Sequence, residues 1–260
     1  MAAPARVGPA GPAGLHRRDR YWIYPVNVAV WLSLFGGYSL WTIVFFHQDS
    51  FHQYLSPFYS PLIAAGRIPV SPALLIFWIP LGFRATCYYY RKAYYRAFFQ
   101  DPPGCAVREP RRAARLSPTG RGRHYRGESR LPFVLSNLHR FFLYLAIVLV
   151  VIFVIDTVNA FSDRGHLGVG LGSLLILVNT IALALYTFSC HSFRHLVGGG
   201  LDCFSCARAG RPRFQLWRLT SWLNLRHSTW AWISLTTVVL TDLYIRLLQY
   251  GVVHDPHLGF

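Results

Sequence analysis

Apolar residues fall in long, almost uncharged runs separated by polar and basic stretches. Five such runs cover about residues 24–46, 71–99, 133–160, 171–195 and 219–250. Each reaches the ~20 residues a helix needs to cross ~30 Å of hydrocarbon. Trp22 and Tyr24 open the first run and are aromatics of the kind that sit at headgroup level. Pro80 and Gly82 lie inside the second, which is expected to run as one helix to Phe99 with a kink at Pro80. The pattern predicts an all-α polytopic membrane protein with five spans in a domain over residues 21–255, and it excludes a soluble enzyme.

The connections decide orientation. Residues 1–20 form a basic arm that lacks the apolar core of a cleavable signal. The 101–131 loop carries eight arginines against Asp101, Glu109 and Glu128. The 198–216 loop is Gly-rich and holds Arg208, Arg211 and Arg213. The 47–70 connection has Arg67 only, and the 162–168 turn has Arg164 only. Basic segments stay in the cytoplasm, so the N-terminus is expected inside and the C-terminus outside. No internal repeat of transporter type is evident.

Composition agrees with this reading. Hydrophobic residues make up 53% and charged residues 14%, below the roughly 25% of soluble domains. The net charge of +16 would suggest nucleic acid in a soluble protein. Here topology and anionic lipid account for it, so no nucleic-acid partner is expected. Five cysteines is an odd number, and all lie in or near segments placed on the cytoplasmic side. Disulfides are not expected there, which leaves metal, redox or simple burial.

A helix rises ~1.5 Å per residue, so depth can be counted. Cys87 lies roughly 24 Å in from Ser71, close to the cytoplasmic edge. His139 and Arg140 open the apolar part of the third run, and Cys190 and His191 close the fourth. Arg226 and His227 precede the apolar part of the fifth, and Arg84 lies one turn deeper than Cys87. Ionisable groups at that depth face an interior, a cavity or a cofactor. Taken singly, the arginines also fit as snorkelling anchors and the histidines as satisfied core groups. Asp156, Asn159 and Asp242 lie near the outer ends of their spans, where structural hydrogen bonding is the simpler account.

Two constellations follow. His191, His195, Cys203 and Cys206 are a local set that zinc accepts, against a reading in which the two cysteines are simply exposed. Cys87 and Cys190 with His139 and His227 are spread over helices. Two thiolates and two imidazoles are what a Rieske-type [2Fe–2S] centre requires. His191 is a substitute for either imidazole, and Cys105 for a thiolate if its loop folds back. Spacing alone does not choose a cluster over a bis-histidine haem.

The run Cys87-Tyr88-Tyr89-Tyr90-Arg91-Lys92-Ala93-Tyr94-Tyr95-Arg96, the turn Pro102-Pro103-Gly104-Cys105-Ala106-Val107 and the run Ser189-Cys190-His191-Ser192-Phe193-Arg194-His195 go further. With Asn137-Leu138-His139-Arg140 and Leu225-Arg226-His227 they resemble the membrane anchor of actinobacterial succinate dehydrogenase, respiratory complex II, over about residues 20–255. The resemblance implies a five-helix anchor in the bacterial cytoplasmic membrane, with a flavoprotein subunit and an iron–sulfur subunit docked on it. It implies electron transfer from succinate to a quinone, menaquinone or ubiquinone, through a Rieske-type [2Fe–2S] cluster in the anchor. Metal roles pass to Cys87, Cys190, His139 and His227, with His191 in reserve. Cys203 and Cys206 receive none.

Arg84, Tyr88 and Trp222 are the expected hydrogen-bond donors to the quinone, chosen by depth and chemistry; interfacial belt positions are the competing account of Tyr88 and Trp222. The chain is not catalytic alone, since it has no dinucleotide fingerprint. A b-type haem anchor of the same complex is the alternative cofactor reading. A small-solute transporter or a non-redox scaffold is the alternative of another class. A higher oligomer of the complex stays open.

Overall fold

A computed structural model describes residues 20, 22–45, 50–62, 72–99, 133–163, 166–198 and 203–259. Residues 1–19, Arg67, the 101–131 loop with Cys105, and Arg164 lie outside the described residues. The chain separates into two compact units, Met1–Leu32 with Lys92–Tyr125 and Ser33–Arg91 with Arg126–Phe260. The core and the candidate site belong to the second.

The helices are α1 (Ile23–Phe45), α2 (Pro72–Thr86), α3 (Tyr88–Phe99), α4 (His139–Ala160), α5 (Leu171–Phe188), α6 (His191–Gly198), α7 (Gly210–Asn224) and α8 (His227–Gln249). A 3-10 turn, Phe133–Leu138, leads into α4. Two-residue strands pair antiparallel as β1 (Ser50–Phe51) with β2 (Tyr54–Leu55), β3 (Ser162–Asp163) with β4 (His166–Leu167), and β5 (Val169–Gly170) with β6 (His257–Leu258). Among the described residues four helical stretches are long and apolar enough to cross a membrane: Ile23–Phe45, Val134–Ala160, Leu171–Phe188 and His227–Gln249. The helix α2 is apolar but only 15 residues long.

The expected uninterrupted helix over 71–99 is not what forms. The helix α2 passes through Pro80 and stops at Thr86, and α3 begins at Tyr88. The Thr86 hydroxyl donates back to the Gly82 carbonyl at 2.7 Å. The Cys87 N–H reaches only to the Arg84 carbonyl, a tightened i to i−3 turn. The expected 171–195 span breaks in the same way after Phe188. There the Ser189 hydroxyl donates to the Tyr186 carbonyl at 3.0 Å, and the Cys190 N–H reaches the Thr187 carbonyl. The expected 219–250 span is likewise divided between α7 and α8. Each buried cysteine therefore sits at a break between two helices, just after a hydroxyl residue.

The helix α5 packs against both α4 and α8, and α2 packs against α4. Hydrogen bonds cross these contacts from Thr157 to Thr180 at 2.8 Å and from Thr237 to the Asn179 side chain at 3.1 Å. On α4, Leu143, Ala146, Leu149 and Val150 are buried, while Val148, Val151, Ile155 and Val158 are exposed. A helix apolar on its outer face as well suits lipid, where the backbone must satisfy itself internally.

The end of the bundle away from the buried cysteines is closed by polar ties. Asp242 accepts from Tyr38 at 2.5 Å, Ser56 at 2.5 Å and Arg246 at 2.7 Å. The Ser60 hydroxyl donates to Asp156. Asp255 accepts from Tyr54 and Tyr244, each at 2.6 Å, and from the Gly172 N–H at 3.1 Å. Burial, and then the hydrogen bond to Asp255, push the Tyr54 phenol well above its ordinary range.

Candidate metal centre

Two helix breaks and two helix starts build the site. Cys87 lies between α2 and α3, and Cys190 between α5 and α6. His139 is the first residue of α4 and His227 the first of α8. Cys87 and Cys190 are free thiols, each 2% exposed. His139 is 7% exposed, and His227 is half-buried.

The four groups close on one another as two thiol–imidazole pairs. His139 Nε2 lies 2.9 Å from Cys190 Sγ, and His227 Nε2 lies 3.5 Å from Cys87 Sγ. The other ring nitrogens face hydroxyls: His139 Nδ1 meets Thr86 Oγ1 at 3.0 Å, and His227 Nδ1 meets Ser189 Oγ at 2.7 Å. Each imidazole thus joins the hydroxyl of one break to the thiol of the other. Aromatic rings hold both in plane. Phe83 stacks on His139 at 4.7 Å, and Tyr186 stacks on His227 at 5.0 Å.

Arg84 places a permanent charge beside the group. Its guanidinium lies 4.8 Å from the Tyr186 ring centre and donates to Tyr90 at 2.6 Å, Ser234 at 3.1 Å and the Ala231 carbonyl at 3.4 Å. Tyr88 and Trp222 are 64% and 55% exposed, and Arg91 and Arg226 cover their rings at 4.8 Å and 5.7 Å. The three residues expected to meet a quinone therefore divide: Arg84 faces the interior, whereas Tyr88 and Trp222 are on the surface.

His191 is exposed and turns its Nε2 toward His195 Nε2 at 3.0 Å. Cys203 and Cys206 form a disulfide, against the expectation of free thiols on that side. Their Cα atoms are 5.4 Å apart in a tight turn, within the range a disulfide spans. Bonded to each other, they have no thiolate to offer the zinc set considered with His191 and His195.

Among the described residues no three His, Cys, Asp or Glu side chains are gathered about a single point as they would be around one ion. The donor set nevertheless fits a Rieske-type group in kind, with two sulfurs and two imidazole nitrogens from four segments. Among the described residues the buried Tyr186 hydroxyl has no oxygen or nitrogen hydrogen-bond partner, and it supplies a donor that such a group could use. Thr86, Ser189, Phe83 and Tyr186 are outside the expected layer, which was drawn from cysteine, histidine and arginine alone. The available signal was local: a hydroxyl residue directly precedes each buried cysteine, in Thr86-Cys87 and Ser189-Cys190.

Comparison with known proteins comes to one family. Residues 23–251 match the sequence profile of the actinobacterial succinate dehydrogenase subunit SdhC. The fold is similar to a chain of the Mycobacterium smegmatis Sdh1 complex in the apo form, with a TM-score of 0.77, 37% identity and 92% of each chain covered. No curated protein matches significantly.

Proposed function

Since the chain belongs to the actinobacterial succinate dehydrogenase SdhC family, we propose that it carries electrons from the complex's iron–sulfur subunit to a membrane quinone through a Rieske-type [2Fe–2S] centre held by Cys87, Cys190, His139 and His227. As an SdhC subunit it is a multi-pass protein of the bacterial cytoplasmic membrane, and its partners are the flavoprotein and iron–sulfur subunits of succinate dehydrogenase. Membership in this family leaves the transporter and non-redox scaffold readings without support.

The observation that carries the proposal is the meeting of two buried thiols with two imidazoles, drawn from four separate places in the chain. A bis-histidine haem would need the two imidazoles to face one iron; here each Nε2 faces a sulfur instead. When bound, the cluster supplies one-electron chemistry at a potential above that of an all-cysteine centre. Cys87 and Cys190 would provide thiolates, and His139 and His227 would provide neutral nitrogens. His191 stays in reserve. Phe83 and Tyr186 keep water from the imidazoles, and the Arg84 guanidinium favours added negative charge there.

In this proposal α2 and α3 together make the second of five spans, the N-terminus is cytoplasmic, and the site lies on that side beneath the iron–sulfur subunit. Tyr88 and Trp222 face the lipid from which a quinone, menaquinone or ubiquinone, would enter. Arg84 would orient it from behind.

Purification of the complex in mild detergent, with iron and acid-labile sulfide analysis and EPR, tests the reading. A signal of low average g, beyond the signals of the iron–sulfur subunit, is expected. A haem α-band in the reduced-minus-oxidised spectrum with no such signal would replace the cluster by haem b.

A further inference from the structure

A hydroxyl has one proton to give. Thr86 Oγ1 directs its proton to the Gly82 carbonyl at 2.7 Å, and Ser189 Oγ directs its own to the Tyr186 carbonyl at 3.0 Å. Toward the imidazoles both oxygens are left with lone pairs only. Thr86 Oγ1 is 3.0 Å from His139 Nδ1, and Ser189 Oγ is 2.7 Å from His227 Nδ1. Two lone pairs at those distances would repel, so in each ring Nδ1 carries the hydrogen and donates it. A neutral imidazole has one hydrogen on nitrogen, so Nε2 is left bare in both rings. Those bare nitrogens are the ones at 2.9 Å and 3.5 Å from Cys190 and Cys87.

We propose that Thr86 and Ser189 are positioning residues that select the ligating nitrogen: each holds one imidazole by its Nδ1–H and presents Nε2 to the metal. This rests on the ligand assignment proposed above and adds which atom binds and which side chains choose it. The device is reciprocal. The residue that orients His139 adjoins Cys87, whereas His139 itself faces Cys190; the residue that orients His227 adjoins Cys190, whereas His227 faces Cys87. A displacement of either helix break therefore disturbs a thiol and the opposite imidazole together. Outer partners of this type fix the tautomer and ring angle of a metal-bound histidine, and their loss typically costs ~10–100-fold in metal affinity or activity.

The test uses the intact complex, purified from cells fed histidine labelled with 15N at Nδ1 or at Nε2, and read by pulsed EPR after reduction. The strong nitrogen couplings should follow the Nε2 label. Thr86→Val keeps the side-chain shape and should alter the coupling of one histidine. Ser189→Ala should alter the other, and Thr86→Ser should restore the wild-type spectrum. The Rieske signal per complex should fall in the two hydroxyl-deleted forms by about 10-fold or more, with the signals of the iron–sulfur subunit unchanged. Succinate oxidation by a soluble dye reports assembly in every form. Strong couplings that follow Nδ1 would overturn the inference, as would Thr86→Val and Ser189→Ala forms with unchanged couplings and Rieske signal. Either result leaves the cluster in place. A wild-type complex without the Rieske signal would instead remove the ligand assignment, and this inference with it.

Discussion

His139 and Cys190 stand 51 residues apart in sequence and meet at 2.9 Å, with the imidazole Nε2 directed at the sulfur. His227 and Cys87 repeat the relationship across 140 residues at 3.5 Å. In both cases the histidine begins a long helix and the cysteine sits at a break between two helices, so one kind of junction is used twice.

Replacing both imidazoles is the direct test of the electron route. The double variant His139→Ala/His227→Ala should lose quinone reduction to background while succinate oxidation by soluble dyes persists. Paired rate assays on the purified complex check this. Retained quinone reduction would remove both histidines from the path.

Arg84 has a structural share that can be separated from any contact with quinone. Arg84→Met deletes the bonds to Tyr90, Ser234 and the Ala231 carbonyl together with the stacking over Tyr186. A loss of about 2 kcal/mol in stability is expected. Arg84→Lys should recover only part, because an ammonium cannot reproduce the planar fork. Thermal unfolding of the detergent-solubilised complex measures both. If each variant melts like wild type, the contacts of Arg84 do not stabilise the bundle.

Asp242 and Arg246 form a buried ion pair one helical turn apart. Asp242→Leu strands a buried guanidinium and should cost about 3–5 kcal/mol. Adding Arg246→Met should return part of that loss, since two apolar groups leave no uncompensated charge there. A double-mutant cycle on melting temperature reads the coupling, and strictly additive effects would deny it.

Gly210 opens α7, where an added Cβ would lie 1.6 Å from the Phe204 carbonyl oxygen. That oxygen is backbone and cannot swing aside as a side chain would. Gly210→Ala should therefore cost about 1–3 kcal/mol by overpacking, visible as faster hydrogen exchange over residues 203–224. Unchanged exchange would show that the turn has room to relax.

Sequence alone was enough for the membrane character, and of the five spans it led us to expect, four match helices of spanning length among the described residues; it also picked out Cys87, Cys190, His139 and His227, which the fold brings together in pairs. Apolar run length follows from bilayer thickness, and position along a helix follows from a fixed rise per residue. The breaks at Cys87 and Cys190 were legible only afterwards, because a hydroxyl beside a cysteine becomes a helix terminator only when its neighbours favour the local bond. Which thiol meets which imidazole, which hydroxyl holds each ring, and the pairing of Asp242 with Tyr38 and Ser56 were decided by tertiary structure. Those contacts depend on how each helix is turned about its own axis. Packing of α5 against α4 and α8 sets that rotation, and no count along the chain contains it.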